Sequence, residues 1–197
     1  MPNRALTLPN LLSILRILVA PLLVAAALLG SREAFLVLFI LSLISDALDG
    51  FLARALNQVT DWGARLDSWG DLATYLVASV GVWLLWPELI RREQPFILLG
   101  LAAFLVPILL GFLKFRRLTS YHTRAAKAAA ILLGLATPLL LFGGPAWPFR
   151  LAILAFLLAE LEETAITLRL EKWRANIPSL RHARDPDPDA KKEEPSR

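Results

Sequence analysis

The chain has 197 residues, 56% of them hydrophobic, a mean hydropathy of +0.56 and a formal charge of +4. A water-soluble domain of this length carries more charge and fewer apolar runs, so the composition excludes an ordinary soluble fold. Cysteine is absent and only two histidines are present. That excludes a disulfide framework and a thiolate nucleophile, and leaves oxygen as the main ligand for any metal. No basic and aromatic residues interleave as nucleic-acid binding requires. The pI near 9.8 points instead to anionic lipid headgroups.

Six apolar blocks follow one another along the chain, at residues 11–30, 34–48, 72–86, 95–113, 125–142 and 147–161. A helix needs about 20 residues to cross a hydrocarbon core of about 30 Å, and the amphipathic extensions of the shorter blocks bring them to that length. Backbone polar groups in lipid are satisfied within a helix, so the expected fold is an all-α integral membrane protein with six transmembrane helices in one bundle. The first block is too long for the apolar core of a signal peptide and ends in no clean cleavage site, so it is read as the first span.

Pro21, Pro107 and Pro138 are expected to kink their spans. Trp83, Trp86, Trp147 and Trp173 stand near helix ends, as interfacial anchors do. With the N-terminus in the cytoplasm, the outer loops hold Arg32, Arg91, Arg92 and Arg150, and the inner side holds the rest of the 21 Lys and Arg. The positive-inside rule favours that orientation, with both termini cytoplasmic and a cytoplasmic membrane as the location. Residues 1–175 form the expected membrane domain. Residues 176–197 are polar and proline-containing, and read as a disordered cytoplasmic tail.

Carboxylates inside membrane helices are costly, and here they cluster. Asp46 and Asp49, three apart, share a face at the end of the second helix; Asp67 and Asp71, four apart, share a face at the start of the third. A short turn around residues 57–60 makes the two helices antiparallel neighbours, so the two acidic faces can meet at the inner membrane surface. Four carboxylates in one small volume repel unless protons or cations compensate them. Two divalent cations, Mg²⁺ or Mn²⁺, suit such hard oxygen ligands and can clamp a diphosphate between them. Gly50 and Gly63 remove side chains where the two helices approach, and Arg54 lies about two turns beyond Asp46 on the same face.

The spacing Asp46-x2-Asp49-Gly50-x2-Ala53-Arg54-x8-Gly63-x3-Asp67-x3-Asp71 resembles the signature of the CDP-alcohol phosphotransferase (CDP-alcohol phosphatidyltransferase) family, with every fixed position present. The entry Thr7-Leu-Pro9-Asn10-Leu-Leu-Ser13-Ile-Leu-Arg16 is similar to that of bacterial phospholipid synthases. The resemblance implies metal-dependent transfer of a phosphatidyl group from CDP-diacylglycerol, or a similar CDP-alcohol, to the hydroxyl of a small alcohol or sugar phosphate, with release of CMP.

By the same resemblance Asp46, Asp49 and Asp67 are metal ligands, and Asp71 is both a ligand and the general base. Gly50, Ala53, Arg54 and Gly63 line the CDP pocket. Thr60, Asn10 and Ser13 also reach the CDP-alcohol. Thr60 and Asn10 each fit a helix cap equally well, and Pro9 suits such a helix entry. The family also implies a homodimer.

Lys114, Arg116, Arg117, Arg124 and Lys127 read as candidates for an acceptor-phosphate site, because an anionic acceptor needs cations; a basic loop that only follows topology rules is the plainer reading. His122 and Asp61 are left outside the site. Glu160, Glu162 and Glu163 interrupt the sixth helix. One is expected to face a cavity, the others to serve packing or to pair with Arg65 or Arg169.

Glycerol-phosphate transferases of the family continue as Asp-Pro-x-Ala-Asp-Lys, whereas this chain reads Asp67-Ser-Trp-Gly70-Asp71-Leu and has no clear Arg-Glu pair in its fourth helix. Those departures speak against a glycerol-phosphate acceptor. Asp-Ser resembles the phosphatidylserine and inositol-phosphate types, but the residues after Asp71 do not fit the former, so the acceptor stays unassigned. The alternatives are an ion or proton transporter, which does not need Gly50, Ala53, Arg54 and Gly63 at these spacings, and a non-catalytic lipid-binding relative, which does not need all four acids.

Overall fold

A computed structural model describes residues 7–56, 61–116, 121, 123–170, 177 and 179–184. Among these residues the chain is all helical. The helices are α1 (Leu8–Leu28), α2 (Arg32–Ala55), α3 (Asp61–Leu85), α4 (Pro87–Phe115), α5 (Arg124–Leu141) and α6 (Trp147–Arg169), followed by a short 3₁₀ helix at Leu180–Arg184. Each expected block is a helix, and the helices run past the apolar blocks into their polar flanks.

Four of them, α1, α2, α4 and α5, contain segments long and apolar enough to cross a membrane. Many large apolar side chains face outward, among them Leu18, Val37, Phe104, Leu109 and Leu135, while polar side chains such as Asn10, Ser13 and Thr167 are buried. An apolar exterior around a partly polar interior is the arrangement that lipid stabilises, and the chain is a multi-pass integral membrane protein. Pro21, Pro107 and Pro138 lie inside α1, α4 and α5, as does Pro95 in α4.

The chain divides into two compact units, residues 1–92 and 93–197. In the first, α1 packs along both α2 and α3. Thr7 caps α1, its hydroxyl accepting from the Asn10 amide at 3.4 Å. The far ends of the helices are fastened by aromatic packing. Phe35 is fully buried against Phe39 and Trp86. Gly81 makes that packing possible, since a Cβ there would stand 2.1 Å from the Phe35 ring. Arg32 donates to the Leu85 carbonyl at 2.9 Å and lies over the Trp86 ring. Its charge is thereby held on a helix end and an aromatic face.

In the second unit α5 packs on α6. Gly143 adopts φ +84 and ends α5, its amide reaching Leu140 O while that of Gly144 reaches Leu139 O, each at 3.0 Å. This is glycine's usual service at a helix C-terminus. Glu93 is fully buried, and Arg150 meets it through two bonds, Nε to Oε2 at 2.9 Å and Nη2 to Oε1 at 3.1 Å. A paired fork of this kind is how a membrane helix retains a carboxylate.

Tyr121, Ile166, Leu170 and Ile177 form a small core, with Phe115 and Leu180 against it. Burial raises the Tyr121 phenol above its usual pKa, and its hydroxyl pairs with Thr167 at 3.0 Å. Ile177 and the 3₁₀ helix lie within the stretch expected to be a solvated tail. They are held there because Ile177 fills the core and the Leu180 amide donates to Glu162 at 2.8 Å. Residues 185–197 lie outside the described residues.

Candidate active site

The acidic cluster forms in the first unit, where α1 lies against α2 and α3. Asp46 and Asp49 project from α2 and Asp67 from α3, and one carboxylate oxygen of each lies within 4.8 Å of the others. Three helices build this meeting. The i, i+3 spacing puts Asp46 and Asp49 on one face of α2, and α1 supplies the groups that hold them.

The central group is Arg16 of α1, only 1% exposed. Its Nη1 donates to Asp46 Oδ1 at 2.5 Å, and its Nη2 donates to Asp49 Oδ2 at 2.5 Å and to Asp67 Oδ1 at 2.8 Å. One planar guanidinium thus answers three carboxylates from two other helices. Ser13, one turn earlier on α1, donates to Asp49 Oδ2 at 3.0 Å. Ser45 donates to the Leu12 carbonyl at 3.2 Å and ties α2 to the same stretch of α1.

Gly70 of α3 explains how Arg16 reaches across. A Cβ at that position would stand 3.3 Å from Arg16 Nε and 3.5 Å from the Ser13 carbonyl oxygen. The bare flank of α3 leaves room for the guanidinium stem.

The three acids differ in access. Asp49 is 4% exposed and anchored by both Arg16 and Ser13. The side chains of Asp46 and Asp67 are more than a third exposed. The cluster therefore has a fixed inner carboxylate and two that open outward. Its donor set, three carboxylates with oxygens this close, fits a hard divalent cation.

The other expected site residues fall as follows. Gly50 and Ala53 lie on α2 and Gly63 on α3, all half-buried. Arg54 and Asp71 belong to α2 and α3, but their side chains lie outside the described residues, as does Thr60 altogether. Asn10 is buried in the first turn of α1, and the cap of that helix is Thr7.

Of the basic residues in the second unit, Lys114 donates to the Thr167 and Leu168 carbonyls at 3.1 and 2.8 Å, closing the C-terminus of α6. Arg116 follows α4 with φ 56, Arg124 and Lys127 are exposed at the start of α5, and Arg117 and His122 lie outside the described residues. Glu163 accepts from the Thr123 amide and hydroxyl at 3.5 and 3.3 Å and so ties α6 to the start of α5. Glu162 holds the 3₁₀ helix through Leu180.

Arg16 is the residue that the sequence reading left out of the site. The signals were present. The entry motif ends on it, and the acid cluster demands a cation.

A sequence profile of the family described as CDP-alcohol phosphatidyltransferase matches residues 6–162. Two relatives are named CDP-diacylglycerol–glycerol-3-phosphate 3-phosphatidyltransferase. The protein of Cereibacter sphaeroides is 32% identical over 145 residues, covering 68% of this chain and 65% of the relative. That of Rickettsia felis is 33% identical over 139 residues, covering 69% and 75%. A cardiolipin synthase (CMP-forming) of Streptomyces coelicolor is 34% identical over 158 residues, covering 76% and 72%. The chain thus spans just under two thirds of the first of these relatives and about three quarters of the others. No solved structure matches.

Proposed function

The chain belongs to the CDP-alcohol phosphatidyltransferase family, and from that premise we propose that it transfers a phosphatidyl group from a CDP-diacylglycerol-type lipid to an acceptor hydroxyl, releasing CMP. The observation that carries the reading is the convergence of Asp46, Asp49 and Asp67 on one point, within a chain that has the family's full signature. In phosphoryl transfer the protein's task is mostly positioning and charge stabilisation, and an acid cluster of this kind serves both through bound cations.

Asp46, Asp49 and Asp67, with Asp71, would hold two divalent cations, Mg²⁺ or Mn²⁺. When bound, the cations neutralise the diphosphate and the charge that develops on the leaving CMP. The remaining work falls to the chain. Buried Asp49 fixes the depth of the cluster, and open Asp46 and Asp67 present oxygens to what enters. Gly50, Ala53, Arg54 and Gly63 line the nucleotide side, with Asn10 and Thr60 at its margins. Asp71 accepts the proton of the acceptor hydroxyl as the new O–P bond forms and the bond from phosphorus to the CMP oxygen breaks. A transporter has no need of this signature, so family membership sets that reading aside.

The acceptor is an alcohol that already carries a phosphate ester. The support is that the Cereibacter and Rickettsia relatives are named for glycerol 3-phosphate. All six helices span the membrane, both termini lie in the cytoplasm, and the acids sit at the cytoplasmic surface; the bias of Lys and Arg supports this orientation. The test is Asp71→Asn in detergent. Transfer is lost while CDP-lipid binding persists; transfer at the parent rate would remove Asp71 from the base role. Screening glycerol 3-phosphate against serine, inositol and inositol phosphate tests the acceptor.

A further inference from the structure

The cluster read above as a metal site already contains a cation, and that cation belongs to the chain. Arg16 is buried at 1% exposure and touches Asp46, Asp49 and Asp67 at once. The placement is built rather than incidental. Ser13 orients the same Asp49 oxygen that Arg16 holds, and Gly70 leaves the flank of α3 bare where the arginine passes.

A guanidinium among three carboxylates does two things. It holds them together, and it leaves two of their three charges uncompensated. A divalent cation drawn to that remaining charge must approach a fixed positive group and share its ligands.

We propose that Arg16 is a built-in competitor of the divalent cation: it keeps the three carboxylates assembled, weakens their hold on the cation, and so defers tight cation loading until a diphosphate anion arrives. The proposal rests on the metal reading of the cluster. Its function is to couple cation and donor. The anionic diphosphate offsets the guanidinium, so both load together more favourably than either alone. A purely structural Arg16 predicts the opposite sign. Removing it would let the carboxylates spread and weaken cation binding.

The experiment uses the parent chain, Arg16→Gln, Arg16→Lys and Asp49→Asn, purified in detergent. Mn²⁺ binding is titrated by electron paramagnetic resonance, with and without CDP, and melting is followed in EDTA and in Mn²⁺. Arg16→Gln should bind Mn²⁺ about tenfold or more tighter than the parent, because a like charge has left the site. It should melt lower in EDTA and recover in Mn²⁺, since the added cation then does the arginine's work. Arg16→Lys, which keeps the charge, should stay within about threefold of the parent. CDP should tighten Mn²⁺ binding more in the parent than in Arg16→Gln.

Unchanged or weaker Mn²⁺ binding by Arg16→Gln overturns the proposal. So does an Arg16→Gln chain that Mn²⁺ cannot return to a folded state, because cation and guanidinium would then not be interchangeable. If the parent, Arg16→Gln and Asp49→Asn all fail to bind Mn²⁺, the metal reading falls and takes this proposal with it, a result distinct from unaltered binding in Arg16→Gln alone.

Discussion

Ser13→Ala separates two roles for one hydroxyl. Ser13 has a single proton to donate and two acceptors nearby, Asp49 Oδ2 at 3.0 Å and the Pro9 carbonyl at 3.3 Å. The carboxylate is nearer and charged, so it takes the proton. Asp49 is 4% exposed, so water does not replace the lost donor. A hydrogen bond to a charged group contributes about 1.5–3 kcal/mol net, and because Arg16 stays on Asp49 the expected loss lies near the lower end, about 1.5 kcal/mol. Equilibrium unfolding in mixed micelles measures it, and Ser13→Thr, which keeps the hydroxyl, should recover most of it. If Ser13 positions Asp49, kcat falls together with stability and the donor KM changes little. If it only touches the CDP-lipid, as its motif implies, the donor KM rises and stability does not move. The second pattern would refute the positioning role.

Three further outcomes follow from the packing. Arg150→Ala takes two hydrogen bonds from the fully buried Glu93 carboxylate and should cost about 3–5 kcal/mol. Glu93→Ala should cost less, because the Arg150 left behind is 43% exposed and still lies over Phe96, and the double change should cost less than the sum of the two single ones, as a double-mutant cycle in micelles would show. Gly81→Ala drives a methyl group into the buried Phe35 ring and should cost about 1–3 kcal/mol in the same unfolding assay, recovered in part by Phe35→Leu. Lys114→Met removes two bonds to the end of α6 and should destabilise by about 1–2 kcal/mol. If Lys114 served the acceptor instead, the acceptor KM would rise with stability intact.

Much of this molecule was legible because its helices are written in long apolar blocks and its acids in fixed spacing. The six helices and the meeting of Asp46, Asp49 and Asp67 follow from periodicity and a short connection between α2 and α3. Arg16 was harder to place, because its partners are 30 to 51 residues away and only the packing of α1 between α2 and α3 brings them together. Charge balance demands cations, and because metals and the Arg54 of the motif also supply them, it does not single out a residue on another helix.

Asn10 as a cap illustrates a local ambiguity. Thr7, three residues earlier, has the hydroxyl in the right place, and Asn10 is carried into the buried face of α1. Helical spacing separates Glu160, Glu162 and Glu163 into a cavity-facing acid and packing acids, but it does not reveal the partners that Glu162 and Glu163 hold, the Leu180 amide and Thr123. The polar composition after residue 176 hid Ile177 and Leu180, two apolar side chains sufficient to fasten a short segment. The residues after Asp67 depart from the glycerol-phosphate pattern, and the chain nonetheless matches relatives named for that acceptor as well as one named a cardiolipin synthase.

If the assembled carboxylates support CMP-releasing transfer from a CDP-activated lipid, the deciding measurement is CMP release from CDP-diacylglycerol, with glycerol 3-phosphate present, in detergent. The parent should release CMP with Mg²⁺ or Mn²⁺ and stop in EDTA, and Asp46→Asn, Asp49→Asn and Asp67→Asn should each lose at least about a hundredfold in rate. CMP release that persists in EDTA, or at the parent rate in Asp49→Asn, would contradict it.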